Sequence, residues 1–154
     1  NEECIREIND IFPSIAVDWS ADGRYILYQK FYNNSNQDIF LFDTLTKTEI
    51  NISAHKGNMK NMGCVFNKKA SMVYFLSDYE REFVGLAYYD VKKDKLGWEI
   101  LEKWDINNYT LSHNVKSLLY STNENGTTKL KLKNLKTGKT KTLKLPKGHC
   151  ISFS

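Results

Sequence analysis

Histidine, serine, cysteine and aspartate are the side chains with which this chain could catalyse a reaction, and their positions argue against catalysis. The three histidines are His55, His113 and His149. The repeat pattern described below places each of them in a loop or at the start of a strand. A Ser–His–Asp hydrolase needs its serine on a sharp strand-to-helix turn beside an oxyanion hole. None of the eight glycines begins a Gly-x-Ser-x-Gly motif, so we expect no catalytic residues in this chain.

The sequence predicts neither a metal site nor a cofactor site. His149 is followed directly by a cysteine, which is not the spacing of a zinc-ligand pair, and no second pair accompanies it. Asn33, Asn34, Asn36 and Asp38 offer the oxygen atoms that calcium prefers. They lack the Asp-x-Asp-x-Asp-Gly order and the trailing glutamate of a calcium loop. A solvated hairpin loop is therefore the favoured interpretation.

Positive charge is concentrated near the C-terminus. The formal net charge is +4, and residues 125–154 contain no acidic side chain and no arginine. A cluster of lysines is compatible with a phosphate-binding face. However, residues 129–133 alternate lysine and leucine, which places the lysines on one side of an outer strand. We therefore expect a solvated lysine face, with no nucleic-acid partner. The lysines of this stretch are Lys129, Lys131, Lys133, Lys136, Lys139, Lys141, Lys144 and Lys147.

One charged loop is the candidate for contact with a substrate or partner. Glu80, Arg81 and Glu82 follow one another between two predicted strands. Equivalent loops are predicted at 32–37 and 123–127 and carry less charge. Loops held by rigid sheets often carry binding residues. The alternative is a salt-bridge cluster on the protein surface, worth about 0–1 kcal/mol.

The elements that would position these residues are short β-strands. Residues 15–53 contain four runs rich in β-branched and aromatic residues, separated by turn-forming residues. Gly23 tolerates the positive φ angle that a tight hairpin requires. Four antiparallel strands make one sheet, which cannot bury both of its faces alone. These four runs lie at 15–20, 25–31, 38–43 and 48–53.

The pattern repeats along the chain. The apolar positions Trp19, Phe66, Leu111 and Phe153 recur at intervals of about 45 residues and are expected to act as packing anchors. The polar residues that end the third strands, Asp43, Asp90 and Asn134, recur at a similar interval. Four strands at this period are typical of β-propeller blades. The predicted fold is therefore all-β, a partial β-propeller of three four-stranded blades with extra terminal strands.

The whole chain is predicted to be one partial propeller without a linker. Its ends are expected to hold incomplete blades, which indicates a fragment of a larger ring. No apolar run approaches the roughly 20 residues that cross a bilayer, so no membrane partner is expected. The predicted segments are the last strand of a preceding blade at 1–12, full blades at 13–54, 60–102 and 105–146, and the first strand of a following blade at 148–154.

The cysteines favour a reducing compartment. Cys4, Cys64 and Cys150 are odd in number and far apart, so buried free thiols are expected rather than disulfides. A cytoplasmic location follows from this interpretation. Because the chain begins at Asn1, a removed signal peptide is the alternative.

The segment VDWSADGR at 17–24, followed by DIFLFD at 38–43, resembles the WD40-like repeat of TolB-type propellers. The order of segments along nearly the whole chain is similar to the N-terminal propeller of prolyl oligopeptidase-family serine peptidases of the acylaminoacyl-peptidase type. The supporting segments are HKG at 55–57, FLSD at 75–78, REFVGL at 81–86, WDI at 104–106 and LKLPKG at 143–148.

The chain departs from this family in two ways. The second and third repeats have NKKA at 67–70 and SHNV at 112–115 in place of Ser-Pro-Asp-Gly. Those two hairpins are therefore predicted to use other turn types. The family's catalytic α/β-hydrolase domain is absent from these residues.

The resemblance implies a noncatalytic propeller fragment that screens peptide access to a hydrolase domain outside this chain. The alternative is a TolB-like module that binds protein partners and is not part of an enzyme. The expected partners are accordingly peptide substrate or the missing hydrolase domain.

Self-association is a further expectation. Propellers close with about four to eight blades, and three full blades fall short of that number. Open blade edges leave backbone groups unpaired and apolar residues uncovered. Two copies of this chain could supply six full blades.

Overall fold

The computed structural model describes residue 7 and residues 11–144, and these residues form an all-β structure. The described part contains twelve strands and no helix, so it contains no helix able to span a membrane. The strands are β1 (Ser14–Trp19), β2 (Tyr25–Asn33), β3 (Asn36–Asp43), β4 (Thr48–Asn51), β5 (Asn61–Phe66), β6 (Met72–Ser77), β7 (Gly85–Asp90), β8 (Lys95–Ile100), β9 (Ile106–Leu111), β10 (Ser117–Glu124), β11 (Thr127–Asn134) and β12 (Thr140–Thr142).

Each group of four consecutive strands forms its own antiparallel sheet. Sheet 1 has the order β1-β2-β3-β4, sheet 2 the order β5-β6-β7-β8, and sheet 3 contains β9 to β12 in the same sequential order. This arrangement confirms the predicted all-β, partial-propeller fold. The terminal strands predicted within 1–12 and 148–154 lie outside the described residues, apart from residues 7, 11 and 12.

The first hairpin of every sheet uses the same turn, contrary to the prediction from the sequence. Gly23, Ala70 and Val115 occupy equivalent positions, and all three have a positive φ angle, of 70°, 49° and 54°. The backbone N–H of each donates to the carbonyl oxygen three residues earlier, at 2.8–2.9 Å. A β-branched residue such as Val115 rarely adopts this conformation. The backbone conformation of this turn is therefore the same in all three sheets, although its sequence differs.

The turns after the third strands are also alike in all three sheets. The side-chain oxygen of Asp43, Asp90 or Asn134 accepts hydrogen bonds from the backbone N–H groups two and three residues later. Each turn closes on a residue with positive φ. Those residues are Lys47, Asp94 and Gly138. A short polar side chain that bonds its own backbone explains why Asp and Asn recur at this position.

Sheets 1 and 2 pack face to face through an apolar core. Leu27, Ile39 and Leu41 from sheet 1 are at most 2% exposed and contact Val73 and Phe75 from sheet 2. Because side chains alternate across a strand, one face of each sheet supplies this cluster. A second cluster joins sheet 2 to sheet 3. Its buried members are Tyr74, Leu76, Leu86, Ile100, Ile106, Leu118 and Tyr120.

The predicted apolar anchors behave differently in the three sheets. Phe66 packs against the core between sheets 1 and 2, and Leu111 packs against the core between sheets 2 and 3. Trp19 occupies the equivalent position in sheet 1 but is 72% exposed, so its prediction as a packed anchor is wrong. It pairs with Ile26, next to the inward-facing Leu27, and therefore lies on the face turned away from sheet 2.

Two of the three lysines of β11, Lys131 and Lys133, do not lie on the solvated face that the sequence predicted, whereas Lys129 is exposed. Lys131 Nζ lies 2.8 Å from Glu124 Oε1 and 3.1 Å from Glu102 Oε1, and its side chain is only 13% exposed. Lys133 Nζ lies 2.7 Å from Glu99 Oε1 in β8. The alternation was predicted correctly, but Lys131 pairs with Glu124 of its own sheet and with Glu102, which follows β8, and Lys133 pairs with Glu99 of sheet 2. The leucines between them lie on the opposite face.

Removing Lys131 should destabilise sheet 3 and its contact with sheet 2, and the part of this effect that involves Glu124, within sheet 3, should depend on pH. The hydrogen bond from Lys131 lowers the pKa of the Glu124 carboxyl from its ordinary value of 4.5. A lowered folded-state pKa stabilises the fold above the ordinary value, and this contribution is lost as the pH falls through the folded-state pKa. We expect Lys131→Met to cost about 1 kcal/mol at neutral pH, since the pair is partly solvated.

The measurement is urea denaturation of wild type and Lys131→Met between neutral pH and the acid range. The difference in unfolding free energy should be largest above pH 4.5 and shrink below it. Lys141→Met is the matched control, because Lys141 lies exposed on β12. A difference that is constant with pH would contradict this assignment.

Candidate functional site

The candidate site lies on the rim where β2 leads to β3 and β6 leads to β7. The segments that enter β5 and β9 lie at the same rim, because strand directions alternate within each sheet. Backbone hydrogen bonds join these segments, from Gln37 N to Met59 O at 2.9 Å and from Asp78 N to Lys60 O at 3.3 Å. Lys60 N also donates to Asp78 Oδ1 at 2.8 Å. The rim is therefore a continuous surface fixed by the sheets.

A buried polar cluster stands beneath this rim, at the seam between sheets 1 and 2. Asp38 is its central acceptor and is 7% exposed. Its carboxylate accepts hydrogen bonds from Ser53 Oγ at 3.2 Å and Asn51 Nδ2 at 2.8 Å, and it lies 3.0 Å from His55 Nδ1. Tyr32 also donates to it, at 3.2 Å. These hydrogen bonds supply partners for the buried polar groups of β3 and of the end of β4, both of which meet the rim.

His55 is positioned by this cluster and is the functional candidate that the sequence did not single out. Its side chain is 3% exposed. Its Nε2 lies 2.8 Å from Asn36 Oδ1, and its Nδ1 faces both Asp38 and the carbonyl oxygen of Ser53, the latter at 2.9 Å. Asn61 extends the network into sheet 2 through Gln37 O. No motif signals this role, because the contacting residues are scattered between positions 36 and 61.

Although serine, histidine and aspartate meet here, they do not form a catalytic triad. In a triad the serine hydroxyl bonds the imidazole and the aspartate lies behind the ring. Ser53 Oγ instead donates to Asp38 and accepts from the backbone N–H of Ile39 at 2.8 Å. Both nitrogens of His55 are already engaged. The geometry is that of a structural hydrogen-bond network.

An open cavity of about 540 Å³ lies beside His55 on the rim. Its wall combines apolar, aromatic and charged groups. This is a common composition for sites that bind flexible ligands, in which apolar contact supplies area and a few polar groups supply orientation. The lining residues are Ala54, His55, Lys56, Met59, Tyr79 and Glu80.

The three charged loop residues predicted from the sequence are placed differently from one another. Glu80 is exposed and lines the cavity. Arg81 turns away to the outer strand of sheet 2, where its guanidinium lies 5.6 Å from the Trp98 ring. Glu82 is exposed. Within the described part of the chain none of the three makes an ion pair, so they do not form the salt-bridge cluster considered as the alternative.

The remaining sequence candidates have structural roles or lie outside the description. Asn33 Oδ1 bonds Ser35, while Asn36 and Asp38 belong to the His55 network, so these residues do not form a calcium loop. Among residues 7 and 11–144, no group of three metal-ligating side chains occurs. His149, Cys4 and Cys150 lie outside the described residues.

Cys64 is a free, fully buried thiol on β5. Burial raises its pKa to about 12, so it is not a thiolate nucleophile at neutral pH. It lines a largely apolar depression of about 350 Å³ together with Val17 of β1 and Tyr109 of β9. The innermost strands of all three sheets therefore share one concave wall.

Comparison with known proteins identifies the fold. No protein-family model matches the sequence, and no curated protein sequence matches it. Among solved structures, one described as a TolB from Agrobacterium tumefaciens shares 16% identity at a TM-score of 0.68, covering 84% of this chain and 48% of that one. A TolB from Acinetobacter baumannii shares 15% identity at a TM-score of 0.65, covering 87% and 33%. A structure from a study of two prolyl endopeptidases shares 16% identity at a TM-score of 0.70, covering 88% and 19%.

These likenesses confirm, at the level of the fold, the resemblance read from the sequence. The chain spans less than half the length of each of the three structures. All three contain β-propeller domains. The described chain is accordingly a three-sheet portion of a β-propeller, similar in fold to the propellers of TolB and of prolyl endopeptidases.

Proposed function

We propose that this chain is the noncatalytic propeller portion of a prolyl oligopeptidase-family serine peptidase, and that its rim screens peptide access to a hydrolase domain outside these residues. The observation that carries the proposal is the rim cavity beside His55. Its walls come from segments of two sheets that hydrogen bonds hold together, so the surface is rigid without the help of a ligand. A rigid concave rim is suited to binding a flexible polypeptide, because the rim loses little conformational entropy and only the peptide becomes ordered on binding.

The arrangement of the candidate catalytic side chains within residues 7 and 11–144 supports a binding role. Ser53, His55 and Asp38 are occupied by one another and by backbone groups, and Cys64 is protonated and buried. Chemistry would therefore come from elsewhere in the parent protein. The likeness in fold to a prolyl endopeptidase structure agrees with a chain that binds peptide while another domain carries out the chemistry.

A second candidate is a TolB-like module that binds protein partners and is not part of an enzyme. The two TolB structures support it, because they match this chain over 84% and 87% of its length, about as much as the 88% matched by the prolyl endopeptidase structure. The two functions share the rim surface but differ in the parent protein. A fluorophosphonate probe that labels an active serine in the full-length gene product would support the peptidase. A full-length product without a labelled serine and without peptidase activity would support the interaction module.

Peptide binding at the rim is the direct test. We expect fluorescein-labelled, unstructured peptides to bind the chain saturably in fluorescence anisotropy. Ala54 lines the cavity and is exposed, so Ala54→Trp should obstruct the site without disturbing the core. The variant should weaken binding at least about tenfold, equivalent to about 1.4 kcal/mol.

Leu45→Trp is the matched control, because Leu45 is 73% exposed in the turn between β3 and β4, at the opposite end of sheet 1. It should bind peptides as wild type does. Equal affinity of all three proteins would place peptide binding elsewhere. If none of them bound peptide, the screening function would be wrong.

A further inference from the structure

Arg81 is partly buried and, among the described residues, makes no ion pair with a carboxylate. Lys131 and Lys133, whose side chains are 13% and 16% exposed, each contact a glutamate within 3.1 Å. Arg24, although 43% exposed, donates from Nε and Nη2 to Asp43 at 3.1 and 2.9 Å. Within residues 7 and 11–144, the one hydrogen bond of the Arg81 side chain runs from Nη2 to the backbone oxygen of Glu102, at 3.5 Å. A partly buried charge without a counter-charge is costly.

The donors of Arg81 are correspondingly under-used. Among the described residues its Nε has no hydrogen-bond acceptor, but this atom is shielded from solvent, so a ligand would meet the terminal Nη atoms. A guanidinium offers five N–H donors, and two of them match the two oxygens of a carboxylate. Arg81 therefore has N–H donors left for an external acceptor, whereas Arg24 uses its Nε and Nη2 donors to bind Asp43.

The Trp98 ring holds the guanidinium in place. The Arg81 Cζ lies 5.6 Å from the centre of this ring, a distance at which the aromatic face attracts a cation. The ring itself lies over Gly85, where an added Cβ would approach Trp98 to 2.9 Å. Glycine at position 85 therefore makes room for the aromatic ring beneath the loop. This arrangement fixes the orientation of Arg81 before any ligand arrives.

The acidic groups near Arg81 are directed elsewhere. Glu102 accepts hydrogen bonds from Lys131 at 3.1 Å and from the Tyr120 hydroxyl at 2.7 Å. Asp105 accepts from the backbone N–H of Val84 at 2.8 Å. Glu80 and Glu82 are exposed on either side of Arg81 in the chain. Their charges disfavour an anion at this position, and they disfavour a dense polyanion more than a single carboxylate.

We propose that Arg81, supported by Trp98, is a carboxylate-binding residue at the edge of the rim, outside the cavity beside His55, and receives either the C-terminal carboxylate or an acidic side chain of a peptide that extends beyond this cavity. This inference rests on the proposed peptide-binding function and specifies its ligand class. The planar guanidinium binds the carboxylate through two hydrogen bonds, which lysine cannot reproduce.

The test measures how strongly binding depends on the carboxylate. One peptide sequence is prepared with a free C-terminal carboxylate, with a C-terminal amide, and with an internal glutamate plus a C-terminal amide. Wild type should bind at least one carboxylate form at least about tenfold more tightly than the neutral amide, and the tighter form identifies the source of the carboxylate. Arg81→Met should bind all three forms like the neutral amide, and Arg81→Lys should recover only part of the preference.

Arg24→Met is the matched control, because it removes an arginine already paired within the chain. Its peptide preferences should equal those of wild type. Arg81→Met that retains the wild-type preference for carboxylate would overturn the inference while leaving rim binding intact. Thermal unfolding of both arginine variants and of Arg81→Lys verifies that any loss of binding occurs in a folded protein.

A second measurement separates this inference from the proposed function. Acetate is titrated into ¹⁵N-labelled protein while the Arg81 Nε–H and Trp98 indole resonances are followed. Saturable shifts that vanish in Arg81→Met would support the carboxylate site even if no peptide bound, in which case only the screening function would fail. Unchanged resonances together with equal binding of acid and amide peptides would overturn the inference.

Discussion

Asp38→Ala should lower the free energy of unfolding by about 3–5 kcal/mol, the cost of leaving buried polar and charged groups without their partner. The carboxylate accepts hydrogen bonds from Asn51 at 2.8 Å and Ser53 at 3.2 Å, and contacts His55 at 3.0 Å. These groups are buried or partly buried, so water cannot replace the acceptor without opening the seam. Equilibrium urea denaturation measures this loss.

The same substitution should also weaken peptide binding at the rim. His55 lines the cavity and is oriented by Asp38 on one nitrogen and by Asn36 on the other. Without Asp38 the imidazole loses its fixed position, and the segment that carries it can shift. We therefore expect lower affinity at temperatures where the variant is still folded. Circular dichroism at the binding temperature verifies that condition.

Two comparisons isolate the cause. Asp38→Asn keeps the volume and one acceptor, so its destabilisation should be smaller than that of alanine. Asp22→Ala removes an exposed carboxylate that bonds Ser20 and Arg24 in a turn, and it should cost far less than Asp38→Ala. Equal destabilisation by Asp38→Ala and Asp22→Ala would contradict the central role of Asp38.

Much of the fold could be predicted because its signals are local. Alternation in 25–31 and 129–133 and the recurring Asp and Asn residues each depend on a few neighbouring residues. The four strands of sheet 1 fall on the predicted runs, although β2 and β3 extend further toward their shared turn. Local pattern determines where a strand is, but not which neighbour each of its faces meets.

The errors at Lys131, Lys133 and Trp19 share this origin. Lysine on an outer strand favours solvent unless an acid from another sheet lies opposite, and Glu99 and Glu102 come from about 30 residues away along the chain. Trp19 matches Phe66 and Leu111 in sequence position, yet no described sheet faces its side of sheet 1. Whether a side chain is buried depends on which sheet packs against its face, and the repeat pattern of the sequence does not show this.

The wrong prediction for the hairpin turns has a different cause. Ala70 and Val115 are poor residues for a positive φ angle, so their local preference favours another turn. The sheet overrides this preference because the flanking strands fix where the chain must reverse. The candidate site was only partly predictable for a similar reason. Glu80 and Arg81 stood out by charge, whereas the network around His55 depends on contacts between two sheets.

Phe75→Ala should lower the free energy of unfolding by about 3–5 kcal/mol, because it removes a large side chain from a close-packed core. Phe75 is 1% exposed and belongs to the cluster that joins sheets 1 and 2. Since native domains are stable by only about 5–15 kcal/mol, this single cavity should remove a large part of the total. The measurement is the midpoint of urea-induced unfolding, monitored by tryptophan fluorescence.

Leu45→Ala is the control for Phe75→Ala, because Leu45 is an apolar residue with 73% exposure and its truncation leaves no cavity. It should leave the midpoint nearly unchanged.

Amide exchange in β10 adds a test of cooperativity, since sheet 3 contacts sheet 2 through a separate cluster. If sheets unfold as neighbouring units, Phe75→Ala should speed exchange in β2 and β6 more than in β10. Equal acceleration in all three strands would show that the sheets unfold as one unit, and a midpoint equal to wild type would contradict the stabilising role of the seam.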